Sequence, residues 1–206
     1  MGCSTLTRSS PAAVTESVKS ARVRVLGIDP GSRHLGWGVL ERVGTRIEHV
    51  AHGVIDVDLD GTFADRLVDI DDRLGHVIAE HAPQVSAVES IFFSKDAQSA
   101  AKLGHARGVV LLRLARSGLP AHEYAPTLVK RTVVGKGAAD KQQVAMVITA
   151  ILRLGTPPRS DAADALAIAL THLNVASYAA AVAASLPPRP PSRRPGRPGK
   201  GKMGVL

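Results

Sequence analysis

Two short apolar runs in this chain each end on a carboxylate, and that pairing constrains the fold more than any other feature. Val23-Arg24-Val25-Leu26-Gly27-Ile28 is β-rich and stops at Asp29-Pro30-Gly31, a turn signal. Val85-Ser86-Ala87-Val88 repeats the pattern and stops at Glu89. Strands of this apolar kind are normally buried, so an acid at the carboxyl end of each calls for something to compensate it.

The rest of the chain supplies the elements around those strands. Leu35 to Leu40 and then Arg46 to Asp58 read as two further strands after short turns, which predicts an antiparallel meander. From Thr62 the apolar period changes: Phe63, Leu67, Ile70, Leu74, Val77 and Ile78 fall at helical spacing, Thr62 and Asp65 form a capping signal, and Pro83 closes the helix. Residues 97–117 predict an alanine- and leucine-rich helix, Pro120 to Tyr124 a short strand, and Pro126 the first residue of another helix. Val144, Val147, Ile148 and Ile151 mark a further helix that stops before Pro157-Pro158, and a last one begins at Ser160 or Asp161. The order through residue 126 is β-β-β-α-β-α-β-α.

Charge is distributed unevenly along this frame. The formal net charge is +8, yet residues 1–22 carry +2 and residues 187–206 carry +6, so the intervening segment is neutral. Within it, residues 41–101 hold five Lys/Arg against twelve Asp/Glu, and residues 102–159 hold ten against two. Arg107, Arg131, Lys136 and their neighbours could line a phosphate-binding face, or each could lie on a solvated helix surface. Gly135-Lys136-Gly137 lacks the spacing and the following Ser/Thr of a nucleotide-binding loop and suits a flexible DNA-contacting loop better.

The organisation expected is a disordered extension over 1–22, one domain over 23–178, and a basic Pro/Gly-rich disordered tail over 179–206. A single cysteine, Cys3, excludes an internal disulfide framework, and with no Cys-x-x-Cys spacing a zinc ribbon is excluded too. The alanine-dominated stretch from Ala162 to Ala184 contains Asp164, His172 and Asn174 and reads as a soluble helix rather than a membrane span. With no signal-peptide pattern near the start, the cytoplasm is the expected location.

Asp161 and Asp164 stand at i and i+3 in the first turn of the last helix, where both can point at one spot and the helix N-terminus favours negative charge. Together with Asp29 and Glu89 they make four oxygen donors suited to hard cations such as Mg²⁺ or Mn²⁺. Two such ions, roughly 3.5–4 Å apart, serve phosphodiester hydrolysis by activating water and stabilising the leaving oxygen. The plainer alternative is that Asp161 caps the helix and Asp164 is a solvated neighbour.

The motifs around these acids resemble the RuvC family of Holliday-junction resolvases. They are Gly-Ile-Asp-Pro-Gly-Ser-Arg at 27–33 with Gly-Trp-Gly-Val at 36–39, Ala-Val-Glu-Ser-Ile-Phe-Phe-Ser-Lys-Asp at 87–96, Ala-Lys-Leu-Gly-His-Ala-Arg-Gly-Val at 101–109, the run at 129–144, and Ser-Asp-Ala-Ala-Asp-Ala-Leu-Ala-Ile-Ala at 160–169. They stand in the family's order between about Val23 and His172. The resemblance implies an α/β, RNase H-like fold with a mixed five-stranded sheet flanked by helices. It also implies a homodimer that nicks four-way junction DNA in symmetric pairs with Mg²⁺ during recombination and repair, with RuvA and RuvB as branch-migration partners. By the same resemblance Asp29, Glu89, Asp161 and Asp164 are metal ligands, Lys130 and Lys141 act near the scissile phosphate, and Phe92 stacks at the junction centre. Ser90 stands where some members carry glutamine, and residues 1–21 and the tail fall outside the family pattern.

Two other readings bear on the same residues. A junction-binding module of this fold without chemistry would not need all four acids. An actin-like ATPase has an Asp-x-Gly turn like Asp29-Pro30-Gly31, but this chain is too short for its two lobes.

Overall fold

In a computed structural model of the chain, residues 22–90, 96–137 and 139–185 are described. Alternation along the first strand decides the architecture. In β1 (Arg22–Asp29), Val25 packs to one side of a sheet while Leu26 and Ile28 pack to the other, so both faces of this strand are covered. It is the centre of a five-stranded sheet of order β3-β2-β1-β4-β5. β2 (His34–Val43) and β3 (Arg46–Asp56) run antiparallel as the expected meander, whereas β4 (Val85–Glu89) and β5 (Ala121–Tyr124) join in parallel. The sheet is therefore mixed, as the family resemblance implies.

One face is covered by α1 (Phe63–His81) and α2 (Ala97–Arg116), which bury Ile70, Leu74, Val110 and Leu114 against Leu26 and Ile28. α1 begins with the anticipated capping box, Thr62 and Asp65 exchanging hydrogen bonds, and ends at Ala82 in a left-handed conformation just before Pro83. Trp37 lies on this side against Gly53 and the His81 ring.

The other face carries α3 (Pro126–Val134), α4 (Lys141–Leu152) and α5 (Ser160–Ser185). α5 lies very close to the sheet because the strands beneath it are bare. A Cβ at Gly27 would stand 2.1 Å from the Ala165 carbonyl oxygen, and one at Gly36 would stand 1.9 Å from that of Asp161. Gly38 likewise receives Leu166. Gly27 pairs with Gly38 and Asp29 with Gly36 across β1 and β2, so three glycines form one patch without side chains beneath the helix.

α5 is buried from Ala162 to Leu173 apart from the half-buried Asp164, and residues 174–179 are exposed apart from the half-buried Ser177. It continues without a break through residue 178, so the domain's last helix extends past the boundary expected from composition. Among the described residues no helix is long and apolar enough to cross a membrane. The extension at 1–21, Phe92 with its neighbours at 91–95, and the tail from 186 lie outside the described residues.

Candidate active site

Pleating places the two strand-end acids side by side. Val25, Gly27 and Asp29 alternate onto the α5 face of β1, and Ala87 and Glu89 do the same on β4. The register runs to Ile28 opposite Val88, so the next positions outward are Asp29 and Glu89. The glycine patch then lets the first turns of α5 settle over this end of the sheet, bringing Asp164 to the same place.

Asp29, Glu89, Asp164, Lys130 and Lys141 line one pocket of about 240 Å³, walled by Pro126, Val129, Val144 and Ile168. Lys130 comes from α3, and Lys141 is the first residue of α4, whose start is fixed by a capping box between Asp140 and Gln143. Lys141 Nζ stands 3.1 Å from Asp164 Oδ2. Five of the six residues expected to be catalytic thus converge. Asp161 does not line the pocket, but it is close enough to raise the pKa of both Asp29 and Lys141.

The electrostatics report crowding. Burial, and then the charges of Glu89 and Asp164, push the Asp29 carboxyl up to about 8 against a partial offset from Lys141. Glu89 is raised by burial and by Asp164, with Lys141, Lys130 and a hydrogen bond from Asp29 working the other way. Burial works against the Lys141 ammonium, but Asp164, Asp29 and Asp161 together outweigh it and raise its pKa. Among the described residues no three acids close on one point as a finished ligand cage. Their chemistry nevertheless fits a divalent cation: they are hard oxygen donors, partly buried, with too little positive charge nearby to let all of them ionise.

The other basic residues expected at a DNA face separate into two kinds. Arg131 and Lys136 are exposed, on α3 and on the turn after it. Arg107 is not on an open face at all: it is 8% exposed, its Nε donates to the Glu89 carbonyl oxygen at 3.2 Å, and its guanidinium stands 2.6 Å from Glu123. The basic sequence context of α2 gave no hint of this, because the acid that draws Arg107 inward comes from β5.

His105 and His122 both make ring contacts. The first meets the Phe63 ring edge-on, and the second lies tilted against the His172 ring, whose Nδ1 is bonded to the Tyr124 hydroxyl at 2.8 Å. Burial, with His122 beside it, lowers His172 to about 4.

Sequence reasoning missed one cluster beside the site. Asp56 Oδ2 and Oδ1 accept from Arg159 Nη1 and Nη2 at 2.6 and 2.8 Å, and Oδ1 also lies 2.8 Å from His34 Nδ1. Arg159 immediately precedes α5, so this pair ties the start of the acid-bearing helix to the end of β3. No local signal joins residues that far apart. Size alone would also mislead, since a groove of about 1110 Å³ at the opposite end of the sheet, between β3 and the turn after α4, is lined by a single acid, Glu48.

A mixed sheet in this order, with acids at the ends of its two central parallel strands and on the helix packed over them, defines an RNase H-like nuclease. The family profile described as crossover junction endodeoxyribonuclease RuvC matches residues 25–172, and the chain belongs to that family. A relative named crossover junction endodeoxyribonuclease RuvC from Sorangium cellulosum is 74% identical over 175 residues, covering 85% of this chain and 98% of its own. Another of the same name, from Caulobacter vibrioides, is 49% identical over 152 residues, 74% of this chain and 90% of its own. Among solved structures, T. thermophilus RuvC in complex with Holliday junction substrate aligns with a TM-score of 0.71 at 37% identity, over 76% of this chain and 96% of that one. The yeast mitochondrial resolvase Ydc2, at 14% identity and a TM-score of 0.55, shares the fold.

Proposed function

We propose that this protein resolves Holliday junctions by metal-dependent, paired symmetric nicking, acting on four-way DNA in the cytoplasm during recombination and repair. The single observation that supports it most is the convergence of Asp29, Glu89, Asp164, Lys130 and Lys141 on one pocket in a chain of the RuvC family.

Asp29, Glu89 and Asp164, with Asp161 beside them, would hold the metal, which we take to be two Mg²⁺ ions replaceable by Mn²⁺. Bound there, the ions supply Lewis-acid activation of water and neutralise charge at the scissile phosphate. The chain's own groups do the rest. Lys141 and Lys130 present ammonium groups to the charge that builds on the phosphate, in a pocket whose apolar walls keep the local dielectric low. Asp164 holds Lys141 at 3.1 Å and so keeps it aimed into the site. Exposed Arg131 and Lys136 offer phosphate contacts on the approach, and Phe92, outside the described residues, offers a face for stacking on an unpaired base. Nicks related by two-fold symmetry need two such sites, so the acting form is a homodimer. RuvA and RuvB are the branch-migration partners that this reading implies.

The test is a mobile four-way junction and a matched linear duplex incubated with and without Mg²⁺, read on a denaturing gel beside Asp29→Asn. Symmetric nicks in the junction alone, lost without metal and in the variant, are expected. Junction binding without nicks in the wild type would leave a binding module of the same fold, and full cleavage by the variant would overturn the site assignment.

A further inference from the structure

We propose that Arg107 is a positioning residue for Glu89, tying the end of β4 to β5 so that this acid keeps its direction into the pocket. The inference rests on the reading of Glu89 as a catalytic acid. Glu89 stands where the pairing of β4 with β1 runs out, its last partners being Ile28 and Val88. The main chain there is held from the opposite side. Glu89 is in register with Tyr124, Ser90 N–H donates to the Tyr124 carbonyl oxygen at 2.9 Å, and Arg107 donates to the Glu89 carbonyl oxygen from α2.

The same guanidinium reaches Glu123, one residue before Tyr124 on β5, so one side chain spans both strands and the helix above them. A planar guanidinium reaches the two partners from two nitrogens held in a fixed fork, whereas an ammonium is a single point of charge without that geometry. Arg107 acts through the backbone rather than by its charge, because the cations that bear on the Glu89 carboxylate are Lys141 and Lys130. It is also too deeply buried, with its own carboxylate partner, to meet a phosphate without breaking that pair.

The substitution Arg107→Lys separates this role from a DNA contact, because lysine keeps the charge and loses the fork. Full-length wild type, Arg107→Lys and Glu123→Gln are compared for junction binding without divalent metal, at several salt concentrations, and for single-turnover cleavage with Mg²⁺. Misplacing a reacting group by about 1 Å costs up to about 100-fold, so we expect Arg107→Lys to cleave about 10- to 100-fold more slowly. Its junction Kd and the salt dependence of binding should be unchanged. Glu123→Gln, altered at a half-exposed position, should slow cleavage in the same direction, and the double variant should be no slower than Arg107→Lys alone.

Cleavage at the wild-type rate in both single variants would overturn the proposal. So would weaker binding with the salt slope reduced by about one, the mark of a lost phosphate contact. If Arg107→Lys does not fold, Glu123→Gln alone decides. Glu89→Gln is run alongside: if it cleaves normally, the catalytic reading of Glu89 has failed. If it is inactive while Arg107→Lys is unimpaired, only the positioning role has.

Discussion

Asp29 and Asp56 sit at the same end of the sheet, two strands apart, and their environments push them in opposite directions. Asp29 is buried among other acids and its carboxyl is driven up to about 8. Asp56 is exposed, accepts two bonds from Arg159 and one from His34, and is held far below the usual carboxylate range. The fold had cations available and placed them around the acid that anchors α5, leaving the acids of the pocket short of positive charge. Charges are matched where the start of α5 is tied to β3, and the unmatched cluster lies where we propose that the metal binds.

Replacing the unmatched acid tests that contrast most severely. Asp29→Asn should lower junction cleavage by at least about 1000-fold, consistent with loss of one essential group in a unit that works together, and should stabilise the metal-free fold. The sign follows from the raised pKa. Below about pH 4 the acid is neutral folded and unfolded, so the variant gains nothing. Between pH 4 and 8 the unfolded wild type ionises while the folded protein cannot, so the advantage grows, reaching a few kcal/mol as an order of magnitude and levelling off above pH 8. Thermal melts of both proteins across that range, in chelator, would show it, and added Mg²⁺ should narrow the gap.

Gly36→Ala should come next in effect. The new methyl group meets the Asp161 carbonyl where α5 lies on the sheet, so the helix must lift, costing about 1–3 kcal/mol of stability and moving Asp161 and Asp164 away from Asp29. Denaturant unfolding measures the first effect and cleavage the second. The smallest change is expected from Asp56→Asn. An exposed ion pair contributes little and is screened, so its melting temperature should fall slightly at low salt and match wild type at high salt. A large, salt-independent loss would show that the matched acid does more than anchor.

Much of this was legible in the sequence because local signals and tertiary structure agree. Periodicity change at Thr62, prolines at 83, 126 and 157, and acids closing two apolar runs give the elements with boundaries close to those observed. Motif order then grouped Asp29, Glu89, Asp161, Asp164, Lys130 and Lys141, all of which line the pocket except Asp161. What stayed hidden depends on partners distant in sequence. Arg107 looked like any basic residue on an alanine-rich helix until Glu123 and the Glu89 carbonyl surrounded it. The Asp56–Arg159 pair joins residues 103 apart. Gly27, Gly36 and Gly38 lie inside strands, where glycine has no side chain to pack, and only the close approach of α5 explains them.

That close approach also bears on when the enzyme can act. Asp29 and Glu89 emerge early in synthesis, but Asp161 and Asp164 arrive on the last helix, which is also the cover for the glycine patch on β1 and β2. A nascent chain, or one truncated before residue 160, has neither a closed sheet face nor a complete set of acids. One helix therefore completes two things at once, the cover of the glycine patch and the set of four acids on which the proposed cleavage rests.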